Sequence, residues 1–291
     1  MIRRRMENVA ILTLLLSAVT AWAGTAADLD RAGELYQQTQ YREVLRLLET
    51  GQPNEAAANA LIGKAYYHLG DYKKATHALE TAIEADPKNS EYYDWLGKFY
   101  GRRAETSSFV TAWSYAVKCH RNFERAIELN SKNLEAIDDL FEYALNAPAM
   151  VGGGFEKAVQ TAELARDVNP AKYYSLQARL AEKQKDFPRE ESHLRKELEL
   201  APKHLGRILD MAEFLARRAR YNESEALFNR AKEIAPENAE LKFERAKTLI
   251  ESRRNREEAE KLLHEYLKST LTPDDPPRSE AEQLLKEISS S

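Results

Sequence analysis

Residues 56–89 read AAANALIGKAYYHLGDYKKATHALETAIEADPKN, and this stretch decides the fold. Two runs of about a dozen residues flank Gly70-Asp71, and in both of them apolar and small side chains recur at three- and four-residue steps. That spacing places them on one face of an α-helix. Asp86-Pro87 closes the second run, because proline disfavours helical geometry in the residue before it and cannot donate into the next turn. The unit returns at 205–238 as LGRILDMAEFLARRARYNESEALFNRAKEIAPEN. Pro202 to Pro236 spans 34 residues and Pro170 to Pro202 spans 32. A fixed period with proline or asparagine at the end of each second helix predicts an array of helical hairpins. One hairpin cannot bury its apolar face alone, so stability must come from neighbour contacts and polar ends.

These residues resemble the tetratricopeptide repeat, whose pattern is W-x2-L-G-x2-Y, then A-x3-F, then A, then P. Residues 56–89 carry it in Gly63, Tyr66, Ala75, Leu79, Ala82 and Pro87, while Asn59 departs from the aromatic position. Tyr93, Leu96, Gly97 and Tyr100 follow, with Phe123 and Ala126 much later. Weaker copies run through Ala158, Ala165 and Pro170; Phe187, Leu194 and Pro202; Ala212, Leu215, Phe228, Ala231 and Pro236; and Ala246, Leu249, Ala259 and Leu263. Ala32, Leu35, Tyr41 and Leu48 mark a first unit near 26–50. The resemblance implies an all-α, right-handed superhelical solenoid of antiparallel helix hairpins with about six to seven repeats. Gly63, Ala75, Ala82, Gly97, Ala212 and Ala231 are expected where paired helices cross closely.

The expected domain order is a signal peptide at 1–23, the solenoid at 24–272, and a loop with a capping helix at 273–291. Arg3, Arg4 and Arg5 precede an uncharged apolar stretch from Val9 to Val19, and Ala21-Trp22-Ala23 offers small residues for cleavage. Those apolar positions fall short of the ~20 that a spanning helix needs, so no stable membrane span is expected after cleavage. Export, to the periplasm, is the expectation. Removing 1–23 leaves 40 basic and 46 acidic residues, a net −6, which gives no reason to expect nucleic acid as a partner. Cys119 is the one cysteine, so no intramolecular disulfide can form.

The array departs from its period twice. Tyr100 to Ala126 covers 26 residues where Tyr66 to Ala82 covers 16, so ten are added near 101–111. Two lengthened helices or a protruding loop would both fit. Ala144 to Ala158 covers 14 residues against 9 from Tyr66 to Ala75, so five are added near 146–155, around Gly152-Gly153-Gly154. This run lacks the G-K-[ST] of a phosphate loop and follows a helix, so a shaped connection is expected.

No catalytic constellation, metal site or cofactor motif emerges. The six histidines are scattered, and no HExxH occurs. Cys119 and His120 are adjacent, which on a helix turns their side chains about 100° apart. Asp138, Asp139 and Glu142 form an acidic face with no nucleophile beside them in sequence. Arg217-Arg218-Ala219-Arg220 and Arg253-Arg254-Asn255-Arg256 are placed to offset helix dipoles and cap carbonyls.

What remains is the groove that the resemblance implies, lined by the first helix of each repeat. The candidate residues are Lys64, Tyr67, Asp94, Lys98, Arg102, Asp138, Glu142, Arg179 and Lys183. Family members hold a peptide's C-terminal carboxylate with Lys, Asn and Arg. Here Asn59 and Lys64 are present, but Asp94 and Asp138 stand further on, an alternation that suits an extended polar segment. The expected function is a non-enzymatic scaffold or adaptor of the bacterial envelope with a protein or peptide partner. The alternative is a small-ligand carrier or transport accessory subunit whose ligand is enclosed by the two insertions.

Overall fold

The computed structural model describes residues 26–49 and 55–290. The expected signal segment, 1–23, lies outside them. Every regular element among the described residues is helical. They are α1 (26–37), α2 (Tyr41–Glu49), α3 (Ala56–His68), α4 (Tyr72–Ala85), α5 (Ser90–Glu105), α6 (Phe109–Leu129), α7 (Leu134–Asn146), α8 (Phe155–Leu164), α9 (Pro170–Lys183), α10 (Phe187–Leu200), α11 (Leu205–Arg217), α12 (Tyr221–Ile234), α13 (Ala239–Glu251), α14 (Arg256–Lys268) and α15 (Arg278–Ser290). A short 3-10 turn spans Ala149–Val151. Seven hairpins, α1/α2 to α13/α14, precede α15 among the described residues, as an all-α hairpin array requires. The chain divides between Leu129 and Asn130 into two compact units, three hairpins in the first and four hairpins with α15 in the second.

Within five hairpins one turn geometry recurs. Thr39, Gly70, Lys185, Ala219 and Arg253 are left-handed, with φ from +54° to +81°, and the last three are spaced 34 residues apart. The residue after each donates its N–H back to a first-helix carbonyl: Gln40 to Leu35, Asp71 to Tyr66, Asp186 to Ala181, Arg220 to Leu215 and Arg254 to Leu249, at 2.9–3.0 Å. This closure satisfies carbonyls that a helix end leaves open. Glycine fills the left-handed position only at Gly70; the other four residues bear the steric cost of their Cβ. The next helix is capped where the sequence supplies a short polar residue, as where Asp71 accepts from Lys74 N and Asp186 from Arg189 N. Between repeats, Asn133, Asn169 and Asn238 do the same for α7, α9 and α13. Pro170 therefore opens α9 at its first position and does not end α8.

The small residues sit at the crossings. Ala75, Ala82, Ala212 and Ala231 are fully buried. A Cβ on Gly63 would lie 3.1 Å from Ala75 O and 3.3 Å from the Phe99 ring, and one on Gly97 would meet the Phe123 ring at 2.5 Å. Ser90 at the start of α5 donates to Ala126 O near the end of α6 at 2.9 Å, which ties the ends of an antiparallel pair. In the second unit α15 lays Ala281 and Ile288 into a core with Phe243, Leu263 and Tyr266.

Both insertions take definite form. The ten residues near 101–111 lengthen helices: α5 has 16 residues against 13 in α3, and α6 has 21 against 14 in α4. The turn between them stays at three residues, 106–108. The five residues near 146–155 build a folded connection. Gly152 N, Gly153 N and Gly154 N donate to Ala149, Pro148 and Ala144 carbonyls, and Tyr143 Oη donates to Val151 O at 2.7 Å. With all three glycine N–H groups engaged, no phosphate cradle exists there.

Two stability results are expected. Ala219→Gly, at an exposed left-handed position, should raise stability by about 0.5–1 kcal/mol in urea unfolding, and Gly70→Ala should lower it by a similar amount. Gly153→Ala should cost about 1–3 kcal/mol or more, because its Cβ would fall 2.0 Å from Ala147 O.

Candidate functional site

The first helices of the hairpins carry the candidate residues, and each unit gathers its own set. In the first unit Lys64 on α3 sets its Nζ 2.5 Å from Glu91 Oε1 and 4.7 Å from the centre of the Trp95 ring. Lys98 on α5 places its Nζ 4.8 Å from the same ring centre and 3.2 Å from the Asp94 carboxylate. Trp95 thus serves two ammonium groups, each such contact contributing about 0.5–1 kcal/mol near a surface. Tyr67 stacks on Phe99 at 5.0 Å and meets Trp95 edge-on at 5.9 Å. Arg102 lies 5.6 Å from the Tyr72 ring and pairs with Glu105. Asp94 is fully buried, so it steadies Lys98 from beneath instead of facing a ligand. Asn59 lines a cavity with Glu49, Tyr66 and His77, whereas Lys64 turns to α5, so the two do not form one carboxylate-holding pair.

In the second unit the acidic face of α7 meets the basic face of α9. Asp138 lies 2.7 Å from Lys172 Nζ and 3.3 Å from Arg179, which also pairs with Glu142. Lys183 reaches Asn146 Oδ1 at 3.3 Å. The α7 carboxylates at 138 and 142 are therefore ion-paired, where the sequence suggested an acidic face alone. Arg217 and Arg220 also depart from expectation. They pair with Glu182 and Glu190, and with Glu191 and Glu223, and Arg218 lies 3.8 Å from the Phe187 ring centre. Their hydrogen bonds go to carboxylates, not to the helix-end carbonyls.

Beside Arg179 and Arg217, the lane continues over residues that the sequence reading did not single out. Ser175, Arg179 and Glu182 of α9, Glu190 of α10, and Asp210, Glu213 and Arg217 of α11 line a cavity of about 200 Å³. Asp210 touches solvent, yet protein encloses it enough to raise its pKa, with Glu244 adding to the rise against Arg207, Lys172 and Arg179. Burial, with Glu244 beside it, pushes the Glu213 carboxyl up to about 8, and burial raises Glu240 as well. Glu197 beneath them is pushed up to about 7 by burial, opposed by its partner Arg207. Continuing the register of 205–238 onto α11 and α13 would have found Asp210, Glu213, Glu240 and Glu244. Trp95 was legible as the aromatic between Lys64 and Lys98 only once two helices were laid side by side.

Among the described residues no group of three or more His, Cys, Asp or Glu is placed to hold a metal ion. Cys119 is a buried thiol. No helix among the described residues is long and apolar enough to cross a membrane.

The raised carboxyls have a consequence for stability. Glu213 binds its proton more tightly in the fold than in the unfolded chain, so its contribution is full below the ordinary carboxylate range and is lost as pH rises through about 8. The wild-type unfolding midpoint should fall between pH 5 and pH 9, and Glu213→Gln should fall less over the same interval, as read by thermal melts.

Comparison with known proteins agrees with this architecture. The tetratricopeptide repeat family profile matches residues 35–98. Anaphase-promoting complex subunit 3 of Dictyostelium discoideum is 39% identical over 71 residues, 23% of this chain and 7% of that protein. Human DnaJ homolog subfamily C member 7 is 31% identical over 129 residues, 36% of this chain and 25% of that protein. The chain thus spans a quarter or less of the length of these curated relatives. A tetratricopeptide repeat protein from Parabacteroides merdae superposes with a TM-score of 0.60 at 13% identity, covering 92% of this chain and 99% of its own. A thermophilic tetratricopeptide protein of Thermus thermophilus gives 0.50 at 20% identity, covering 67% and 99%. Residues 35–98 match the tetratricopeptide repeat by sequence, and the described residues take the tetratricopeptide fold.

Proposed function

We propose that this chain is a non-enzymatic protein-binding scaffold of the bacterial envelope, exported with residues 1–23 as its signal and holding an extended, polar protein segment against its first helices. Proteins with tetratricopeptide repeats commonly serve as interaction scaffolds, and one relative is by name a subunit of a multiprotein complex. The observation that carries the reading is the pattern of the first-helix faces. Lys64, Lys98 and Arg102 stand around Trp95 and Tyr67 in one unit; Arg179, Arg217, Asp210 and Glu213 converge in the other. Mixed charge with aromatic surface favours a segment that presents alternating charges and backbone polar groups, and rigid helices lower the ordering cost of capture.

The small-ligand alternative needs a cavity bordered by both insertions. Residues 101–111 instead extend α5 and α6, residues 146–155 fold back on α7, and the charged cavity at 175–217 is lined by neither.

Crosslinking followed by pull-down from native envelopes tests the reading. Wild type should capture partners that Lys98→Glu with Arg102→Glu, or Arg179→Glu, loses; recovery of the same partners by all three proteins refutes the groove assignment. Intact mass of the exported protein should show a chain beginning at Gly24, and a mature mass that includes residues 1–23 would count against cleavage.

A further inference from the structure

A second surface lies where the turn after α13 meets the end of α15. Leu249, Ile250 and Ile288 line a cavity of about 510 Å³, with Arg253, Arg254, Arg256 and Glu287 around it. Leu249 and Ile288 are largely buried, and the three arginines are exposed. We propose that this cavity docks an acidic protein segment bearing an apolar side chain next to its carboxylates, at a site distinct from the first-helix lanes.

The argument is an internal comparison one repeat apart. The turn at 217–220 has the same backbone geometry as the turn at 251–254, and there Arg220 holds the place of Arg254. There Arg217 lies 3.4 Å from Glu182 and 3.1 Å from Glu190, and Arg220 lies 2.7 Å from both Glu191 and Glu223. At 253–256 no carboxylate stands within ion-pair distance of the three guanidiniums among the described residues. Arg254 lies 4.2 Å from the centre of the Tyr221 ring, which leaves its charge unneutralised.

Three arginines and one carboxylate, Glu287, rim an apolar floor, so the cavity rim is net positive in a protein that carries net −4. A carboxylate between the guanidiniums relieves their repulsion and accepts paired N–H donors. An adjacent leucine or phenylalanine fills the floor formed by Leu249, Ile250 and Ile288. The arginines give the charge selectivity, and the floor demands that the charge come with an apolar neighbour. That combination excludes free inorganic anions as the preferred occupant.

Fluorescence anisotropy with three labelled decapeptides tests this: alternating Glu-Leu, Gln-Leu and Glu-Ser. The Glu-Leu peptide should bind wild type, more weakly as salt rises, and both controls should bind at least about tenfold more weakly. Arg253→Glu with Arg256→Glu should lose at least about tenfold in affinity while its thermal unfolding stays near wild type; both side chains are exposed, and Arg253→Gln with Arg256→Gln should fall between. Lys98→Glu with Arg102→Glu should bind the peptide as wild type does, which separates this site from the groove reading. Equal binding of the Gln-Leu peptide, or unchanged affinity in the double glutamate variant, overturns the proposal. So does capture by phosphatidylglycerol vesicles that is lost in that variant when wild type fails to bind the peptide.

Discussion

Two helices that lie side by side can approach only as closely as the side chains between them allow, and every hairpin of this chain depends on that distance being short. Gly63 opposite Ala75, and Gly97 opposite the Phe123 ring, let backbones and aromatic faces touch where a methyl group would intrude. Dispersion and the removal of apolar surface from water then act over the whole length of the pair. Phenylalanines on the first helices, Phe99, Phe141, Phe214 and Phe243, are almost fully buried, and Phe99 packs on Gly63 and Tyr67 of the neighbouring hairpin. Within each unit, with the crossings fixed from within, charges on neighbouring first helices meet, as Lys64 meets Glu91 and Lys172 meets Asp138.

The same pairing sets the electrostatics of the second unit. Lys172 and Arg179 on α9 face Asp138 and Glu142 on α7, and Arg217 on α11 faces Glu182 and Glu190. Further along the lane acidic groups cluster, and burial raises the pKa of Glu197, Asp210, Glu213 and Glu240. Burial raises the Glu213 carboxyl to about 8, and Glu244 beside it adds to the rise against Lys247. In the first unit a tryptophan stands between two lysines, and each lysine has its own carboxylate.

The hairpin fold was legible because its signals are local: the 3.6-residue spacing at 56–89, the proline period, and small residues at Gly63 and Ala75. The lengths of the insertions were legible by counting; their form was not. Whether ten extra residues become helix or loop depends on whether α5 and α6 can keep pairing, as Ser90 with Ala126 shows they do. The candidate site was legible only as positions. Asp94 belongs to the correct helix but is buried beneath Lys98, since burial is set by what packs above a residue and periodicity does not report it. Arg217 and Arg220 look like helix-end cations in sequence. Their carboxylate partners come from α9, α10 and α12, a relation that one chain read linearly does not contain.

The lengthened third hairpin has a use of its own. None of the first ten residues of α6 is buried, and its tip shows Phe109 at 88% and Val110 at 82% exposure. Helix carries that tip outward by about 1.5 Å per added residue, and the three-residue turn keeps the pair closed at the end. The extension is a stiff mast whose tip takes no part in the core below. Such a mast is a natural port for engineering: an epitope, a fluorophore or a further pair of helical turns spliced at 106–108 would ride on it without disturbing the helix crossings beneath.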